Sequence, residues 1–315
     1  MKKTVIIISC LIVAVIACFI PVTKSKTIPV KSSFLNVYRL LTTPGKWVKW
    51  HPILREIPAA DSSKILLKKN SAAFSVKYQD LNLDVDYKGG DIVVNEQFNG
   101  HDNNYSYTLA PDKRPDDTTF VTATKKTSLF SYLLGRIGSD SFSDTRINDL
   151  KRYMETDSLR YGCNIAKTKV PGSDLIVVKK KVLTLDKFKA AADIYSELKQ
   201  FASANNVKPI QPVIAQFIPA GKDSTQVNIG LFIDKPVKGT KDIFYNHMPK
   251  GGPLYAAKFS GKFQDRGTVY AGLHQYFIDH LYQMAILPFE SYLDDKLPVS
   301  DTSKVNIQID FSTYF

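Results

Sequence analysis

One carboxylate in this chain is placed where it can do chemistry: Glu290, in the stretch Pro288-Phe289-Glu290-Ser291-Tyr292-Leu293. Read as a strand, the stretch turns Phe289, Ser291 and Leu293 one way and Glu290 and Tyr292 the other. A carboxylate among aromatic rings must be paired, protonated or open to a cation, because burying it alone is costly. The plainer alternative is a surface Glu290 paired with a lysine. Little else competes. His51, His101, His247, His274 and His280 show no HExxH or zinc-finger spacing, so no metal is expected. Cys10 and Cys18 lie in an apolar N-terminal run, which leaves Cys163 alone and no internal disulfide framework. There is no phosphate-cradling glycine loop and no Gly-x-Ser-x-Gly elbow; GSDSFS around Ser141 lacks the second glycine and a strand-like flank. No catalytic residue and no cofactor are expected.

The elements that must hold Glu290 are written twice. Asp223 opens DSTQVNIGLFI and Asp301 opens DTSKVNIQIDF, which sets Val227 and Val305 apart by 305 − 227 = 78 residues. Upstream, IYSELKQF from Ile194 lies over VYAGLHQY from Val269 at an offset of 269 − 194 = 75. Such a fixed-period echo marks a repeated unit. Each copy reads strand, helix, strand, strand. The first helix spans 186 to 205, striped by Phe188, Ala191, Tyr195, Leu198 and Ala202; the second spans about 264 to 284, striped by Val269, Leu273, Tyr276 and His280. Two such units related by a pseudo-two-fold axis bury their shared surface and leave a cleft at the axis. The 75 offset carries Ala215 onto Glu290, so the carboxylate breaks the symmetry of the frame.

The segment from 173 to 315 resembles the GyrI-like effector-binding domain. The residues that carry the resemblance are PLYAAKFSGKFQD from Pro253, the helix after it, PFESYLDDKLP and the terminal VNIQIDF. In multidrug-sensing members the glutamate at the place of Glu290 lies in an aromatic-lined pocket and faces cationic ligands. The resemblance therefore implies a ligand site at Glu290 and Tyr292, with Tyr255, Phe259, Phe263, Tyr270 and Phe217 as aromatic companions; for each of those five, core packing is the competing reading. Some relatives hydrolyse small electrophiles with a pocket glutamate, which gives an alternative with Glu290 as general base and Tyr270 or Tyr292 as donor. A further alternative is a protein-binding or inhibitor module. The helix-turn-helix of regulators with this domain is not readable here, so no nucleic-acid partner is expected.

Between 27 and 165 the chain reads as strand, short helix, a meander and a closing helix. Ser32 or Ser33 caps SSFLNVYRLLT, with Phe34, Val37, Tyr38 and Leu41 as its apolar face, and DTRINDLKRYME buries Ile147, Leu150, Tyr153 and Met154. The opening IPVKSSFLNVYRLLTTPGKWVKWHP resembles that of the START and polyketide-cyclase-like (SRPBCC) superfamily, in which a curved sheet grips the last helix around an apolar cavity. Trp47 and Trp50 read as core. The expected class is α+β: a helix-grip antiparallel sheet domain, then a duplicated strand-helix-strand-strand domain.

Bulk properties suit two such domains: 315 residues, 44% hydrophobic, with 18 Phe and 16 Tyr. The net charge of +12 is spread as lysines over every segment, which reads as a solvated surface. Val5 to Val22 carries no charge, near the minimum length for a bilayer. Residues 1–26 are therefore expected to hold a single-pass membrane anchor through residues 4–22, with the globular part on the exported side; an acylated leader with Val15-Ile16-Ala17-Cys18 as a loose lipobox, or a cleaved signal peptide, is the alternative. The expected function is membrane-anchored binding of a small hydrophobic or cationic molecule, without catalysis.

Overall fold

The computed structural model describes residues 20–70, 73–112, 117–129, 142–170, 173–248 and 250–314. The architecture is α+β with two antiparallel sheets and, among the described residues, seven helices. Contacts divide the chain into two compact units, Met1–Thr156 and Asp157–Phe315.

The first unit is a seven-stranded sheet in the order β1-β7-β6-β5-β4-β3-β2. Its strands are β1 (Pro21–Val30), β2 (Leu66–Lys69), β3 (Ala73–Tyr78), β4 (Leu81–Lys88), β5 (Asp91–Phe98), β6 (His101–Pro111) and β7 (Thr119–Ser128). The β5–β6 turn is Asn99-Gly100, both at positive φ, the backbone that two-residue hairpins demand. Three helices follow β1: α1 (Phe34–Thr42), α2 (Pro44–Trp50) and α3 (Pro52–Arg55). Ser33 caps α1, and Pro44 and Pro52 sit in the first turns of α2 and α3, where a missing N–H costs nothing. The α1 face that is buried comprises Asn36, Val37, Leu40 and Leu41; Phe34 and Tyr38, expected on that face, stack on each other at the surface. Trp47 and Trp50 are fully buried, with Ile147, Leu150, Tyr153 and Met154 from α4 (Phe142–Glu155) in the same core.

The expected anchor needs correction. Pro21 and Val22 are not helical but open β1, where they pair with Ser128 and Thr127. Proline carries no N–H for a helix to use, and from Thr23 the sequence alternates with period two, so that Ser25 and Thr27 meet Thr124 and Thr122 hydroxyl to hydroxyl on β7. Among the described residues no helix is long and apolar enough to cross a membrane. Residues 1–19, which carried the rest of that expectation, and 130–141, expected to begin the closing helix, lie outside the described residues. A membrane location and a membrane partner are accordingly not retained.

The second unit begins with α5 (Asp157–Tyr161) and contains β8 (Ala166–Lys169), β9 (Ser173–Leu183), α6 (Lys187–Ala204), β10 (Ile214–Pro219), β11 (Ser224–Ile233), β12 (Phe244–Met248), β13 (Pro253–Lys262), α7 (Gly267–Asp279), β14 (Phe289–Tyr292) and β15 (Lys304–Ser312). The eight strands run β12-β9-β11-β10-β14-β15-β13-β8. Read inward from either side, the six middle strands follow the same sequence order. At the centre β10 and β14 pair antiparallel through Ile214 with Ser291 and Ala215 with Glu290. Helix α7 stops at Asp279, short of the expected Met284, because Leu281 takes a left-handed φ of 56° and turns the chain away. Ala191, Ile194, Leu198 and Ala202 of α6, with Val269, Leu273 and Phe277 of α7, pack on one face of the sheet against Ile176, Val178, Val227, Ile229, Val305 and Ile307.

Candidate functional site

Strand β14 alternates as its sequence dictates. Phe289 joins an apolar cluster on the face away from α6 and α7, while Glu290 and Tyr292 point into the helix-facing core. Glu290 is 1% exposed, and its charge is met within the chain. Arg266 Nε donates to Oε1 at 2.6 Å, the Tyr270 hydroxyl to Oε1 at 3.0 Å, and the Tyr292 hydroxyl to Oε2 at 2.6 Å. Arg266 ends a 3-10 turn, Phe263–Arg266, and Tyr270 lies one helical turn further along α7, so both reach the same spot over the sheet. The guanidinium carbon of Arg266 lies 3.4 Å from the centre of the Phe263 ring, and its Nη1 donates to Phe263 O. That ring is flanked edge-on by Phe188 and Phe217 at 5.3 and 5.2 Å. Carboxylate, cation and aromatic face thus form one stack, a geometry in which a partly desolvated cation–π contact strengthens the ion pair.

Burial, with the Glu290 carboxylate beside them, pushes the Tyr270 and Tyr292 hydroxyls well above the usual tyrosine range. Both therefore stay protonated and act as donors. Outside the stack, Arg266 and Tyr270 wall a cleft of about 560 Å³, with Phe217, Ile218, Met284, Leu287 and Phe311 among its apolar lining. This volume is within the range of small-ligand sites.

Five of the seven expected residues gather here: Glu290, Tyr292, Tyr270, Phe263 and Phe217. The other two do not. Tyr255 packs with Tyr276, Phe277 and Tyr282 in a separate ring cluster, and Phe259 lies half-buried over Gly261. Arg266 was missed, although its place one turn before Tyr270 was a readable signal. A second buried acid–base cluster was missed in the first unit, where Glu96 accepts hydrogen bonds from Arg146 Nη2 at 2.7 Å and Tyr105 at 3.1 Å and meets His51 Nε2 at 3.2 Å. Its signal was a carboxylate in phase with Ile92 and Val94 on β5. Burial would raise the Glu96 carboxyl, but His51 and Arg146 outweigh it and hold it at about 2. Trp50 Nε1 and His51 Nδ1 lie buried in this core with no hydrogen-bond partner among the described residues. No metal-ligating group of three or more His, Cys, Asp or Glu occurs among the described residues.

No protein-family model and no curated protein matches the chain. It has structural neighbours only. The C-terminal domain of EcmrR is 17% identical over 48% of this chain and 96% of that one, with a TM-score of 0.39. EcmrR in complex with DNA is 14% identical over 59% of this chain and 70% of that one, TM-score 0.41. A hydrolase from Listeria innocua is 12% identical over 47% of this chain and 90% of that one, TM-score 0.34. One of these neighbours is a complex with DNA, and the expected absence of a nucleic-acid partner is not retained.

Proposed function

We propose that the second unit is a small-molecule-binding module of the GyrI-like effector-binding kind, and that it takes an apolar ligand carrying one positive charge. The observation that carries this reading is the Arg266–Glu290 pair stacked on Phe263 at the wall of an apolar cleft. The guanidinium already occupies the position that a ligand cation would need, between a buried carboxylate and an aromatic face. A cationic ligand enters by displacing it, and Arg266, whose side chain is 18% exposed, has solvent to turn into. Both carboxylate oxygens accept hydrogen bonds in the free protein, which favours binding over proton abstraction. The duplicated frame is supported by the sheet order and by the central pair: Ala215 and Glu290, which the 75-residue offset makes equivalent, lie directly opposite one another, as residues flanking a two-fold axis would. For the first unit, a seven-stranded antiparallel sheet with α4 over β1 and β7 supports the helix-grip, START-like reading.

The test is thermal unfolding of the full chain with dodecyltrimethylammonium or dodecanol, each below its micelle concentration. A ligand that binds only the folded state raises the transition. The cation should stabilise the wild type, stabilise Arg266→Ala more, since the internal competitor is gone, and lose its effect in Glu290→Gln. Equal shifts in wild type and Glu290→Gln would remove Glu290 from ligand recognition.

A further inference from the structure

The larger cleft of the second unit lies on the other face of its sheet. It measures about 810 Å³. Its floor is the side of the strands away from α6 and α7: Leu175 and Val177 on β9, Ile214 on β10, Gly230 on β11 and Phe289 on β14. Gly230 deepens that floor, since a Cβ there would come within 3.0 Å of Ile214 and 3.1 Å of Leu175. One wall is the segment Ala285–Leu287, whose Ile286 and Leu287 are 47% and 58% exposed. Apolar surface left open to water in a concave setting favours an apolar occupant.

The charges in this cleft are opposite to those at Glu290. No Asp or Glu lines it, and its single lysine, Lys179, has no carboxylate partner among the described residues. The one other titratable lining group besides Tyr314, His247, is already engaged by Asp174. Beside Lys179, at the same register on β11, Asn228 begins a set of amides with a single sense. Gln226 Nε2 donates to Asn228 Oδ1 at 3.1 Å, and Asn228 Nδ2 to Gln216 Oε1 at 2.9 Å; Gln216 Nε2 spends both hydrogens on the carbonyls of Leu287 and Pro288. A carboxamide nitrogen carries two hydrogens, so Gln226 and Asn228 each keep one N–H beyond the bond already made. A cation with two spare amide donors next to it suits a carboxylate head group. The carboxylate on this face, Asp310, lines an adjoining recess and is occupied by Ser291 and Gln308.

We propose that this face of the sheet is a second binding site, for a single-chain amphiphile with a carboxylate head: the head at Lys179, Asn228 and Gln226, the chain along Val177, Ile214 and Phe289 and under Leu287. The site differs from the Glu290 site in chemistry and lies on the opposite face of the sheet, the two clefts meeting only at Gln216, Ile218 and Leu287, and it accepts the charge that the Glu290 site rejects.

Isothermal titration of the full chain with dodecanoate, below its micelle concentration, decides the matter. Binding to any other part of the chain is common to all variants and drops out of the comparison. Dodecanoate should bind the wild type, weaken at least tenfold in Lys179→Glu and several-fold in the milder Lys179→Gln, and bind Glu290→Gln as it binds the wild type. Lys179 is an exposed strand residue, and matching circular dichroism spectra will establish that both variants fold. No dodecanoate binding, equal binding in wild type and Lys179→Glu, or loss in Glu290→Gln would each overturn the proposal. Loss of dodecyltrimethylammonium binding in Glu290→Gln with dodecanoate unaffected would keep the two sites distinct.

Discussion

Replacing Arg266 by alanine isolates the energy of the central stack. The change leaves Glu290, 1% exposed, without its cation and with only the two tyrosine hydroxyls. Removing one partner of a buried pair costs about 3–5 kcal/mol. The tyrosine bonds that remain argue for the lower end, and loss of the guanidinium from the Phe263 ring adds about 1 kcal/mol. A total of about 4 kcal/mol should lower the transition of a unit this size by roughly 8–16 °C. Glu290→Gln should cost less, about 2 kcal/mol, because Arg266 is free to turn to water while a neutral amide stays behind. The double variant should cost about 3 kcal/mol, less than Arg266→Ala alone, which is a coupling of about 3 kcal/mol. The two tryptophans of the chain, Trp47 and Trp50, both lie in the first unit, so their fluorescence reports that unit only. Urea unfolding followed by circular dichroism should show a shifted transition in Arg266→Ala while the tryptophan transition stays in place. A cost below about 1 kcal/mol, or a double variant no more stable than Arg266→Ala, would refute the claim that the pair neutralises a buried charge.

Two other predictions follow from buried groups. Glu96 is held at about 2, below its ordinary 4.5, so its contribution is present above pH 4.5 and is lost as pH falls from there to about 2; it amounts to about 3 kcal/mol. Burial also keeps the His51 pKa low, and forcing a proton onto it in acid acts in the same direction. Urea midpoints of the tryptophan signal should therefore fall steeply between pH 4.5 and 2, and that fall should flatten in Glu96→Gln. In α7, a Cβ on Gly272 would lie 2.1 Å from the carbonyl oxygen of Tyr161. The helix preference of alanine, about 1 kcal/mol, cannot offset that backbone clash, and Gly272→Ala should destabilise the second unit by about 3 kcal/mol, read by its circular dichroism transition.

Much of the framework could be read from local pattern. The helix stripes of α6 and α7 and the strand alternation around Glu290 depend only on residue spacing, and Val227 and Val305, the two ends of the echo, both lie in strands, β11 and β15. What escaped depends on partners far away in sequence. Arg266 reaches Glu290 across 24 residues, and Glu96 gathers His51 and Arg146 from 45 and 50 residues away; no window of local sequence contains either cluster. The end of α7 was missed because neither glycine nor proline marks it; Leu281 takes the left-handed turn instead. The N-terminal apolar run was read as helix up to Val22, but ten residues of pairing with β7 decide otherwise from Pro21 onward. The cleft on the open sheet face left no motif at all, since its lining is gathered from seven strands, β9 to β15, and from loops between them.

The joint between the two halves of the second sheet is narrow. Two residue pairs hold β10 to β14, against ten that hold β9 to β11. The Gln216 side chain reinforces the joint from β10 to the carbonyls of Leu287 and Pro288, and Asp295 accepts from the Val213 N–H. Under tension or slow breathing, the sheet should therefore part along this seam before either half frays internally, and Glu290 is one of the four residues that form it. A buried carboxylate thus sits at the shortest strand pairing among the described strands, so anything that loosens the seam also loosens the cage around that charge.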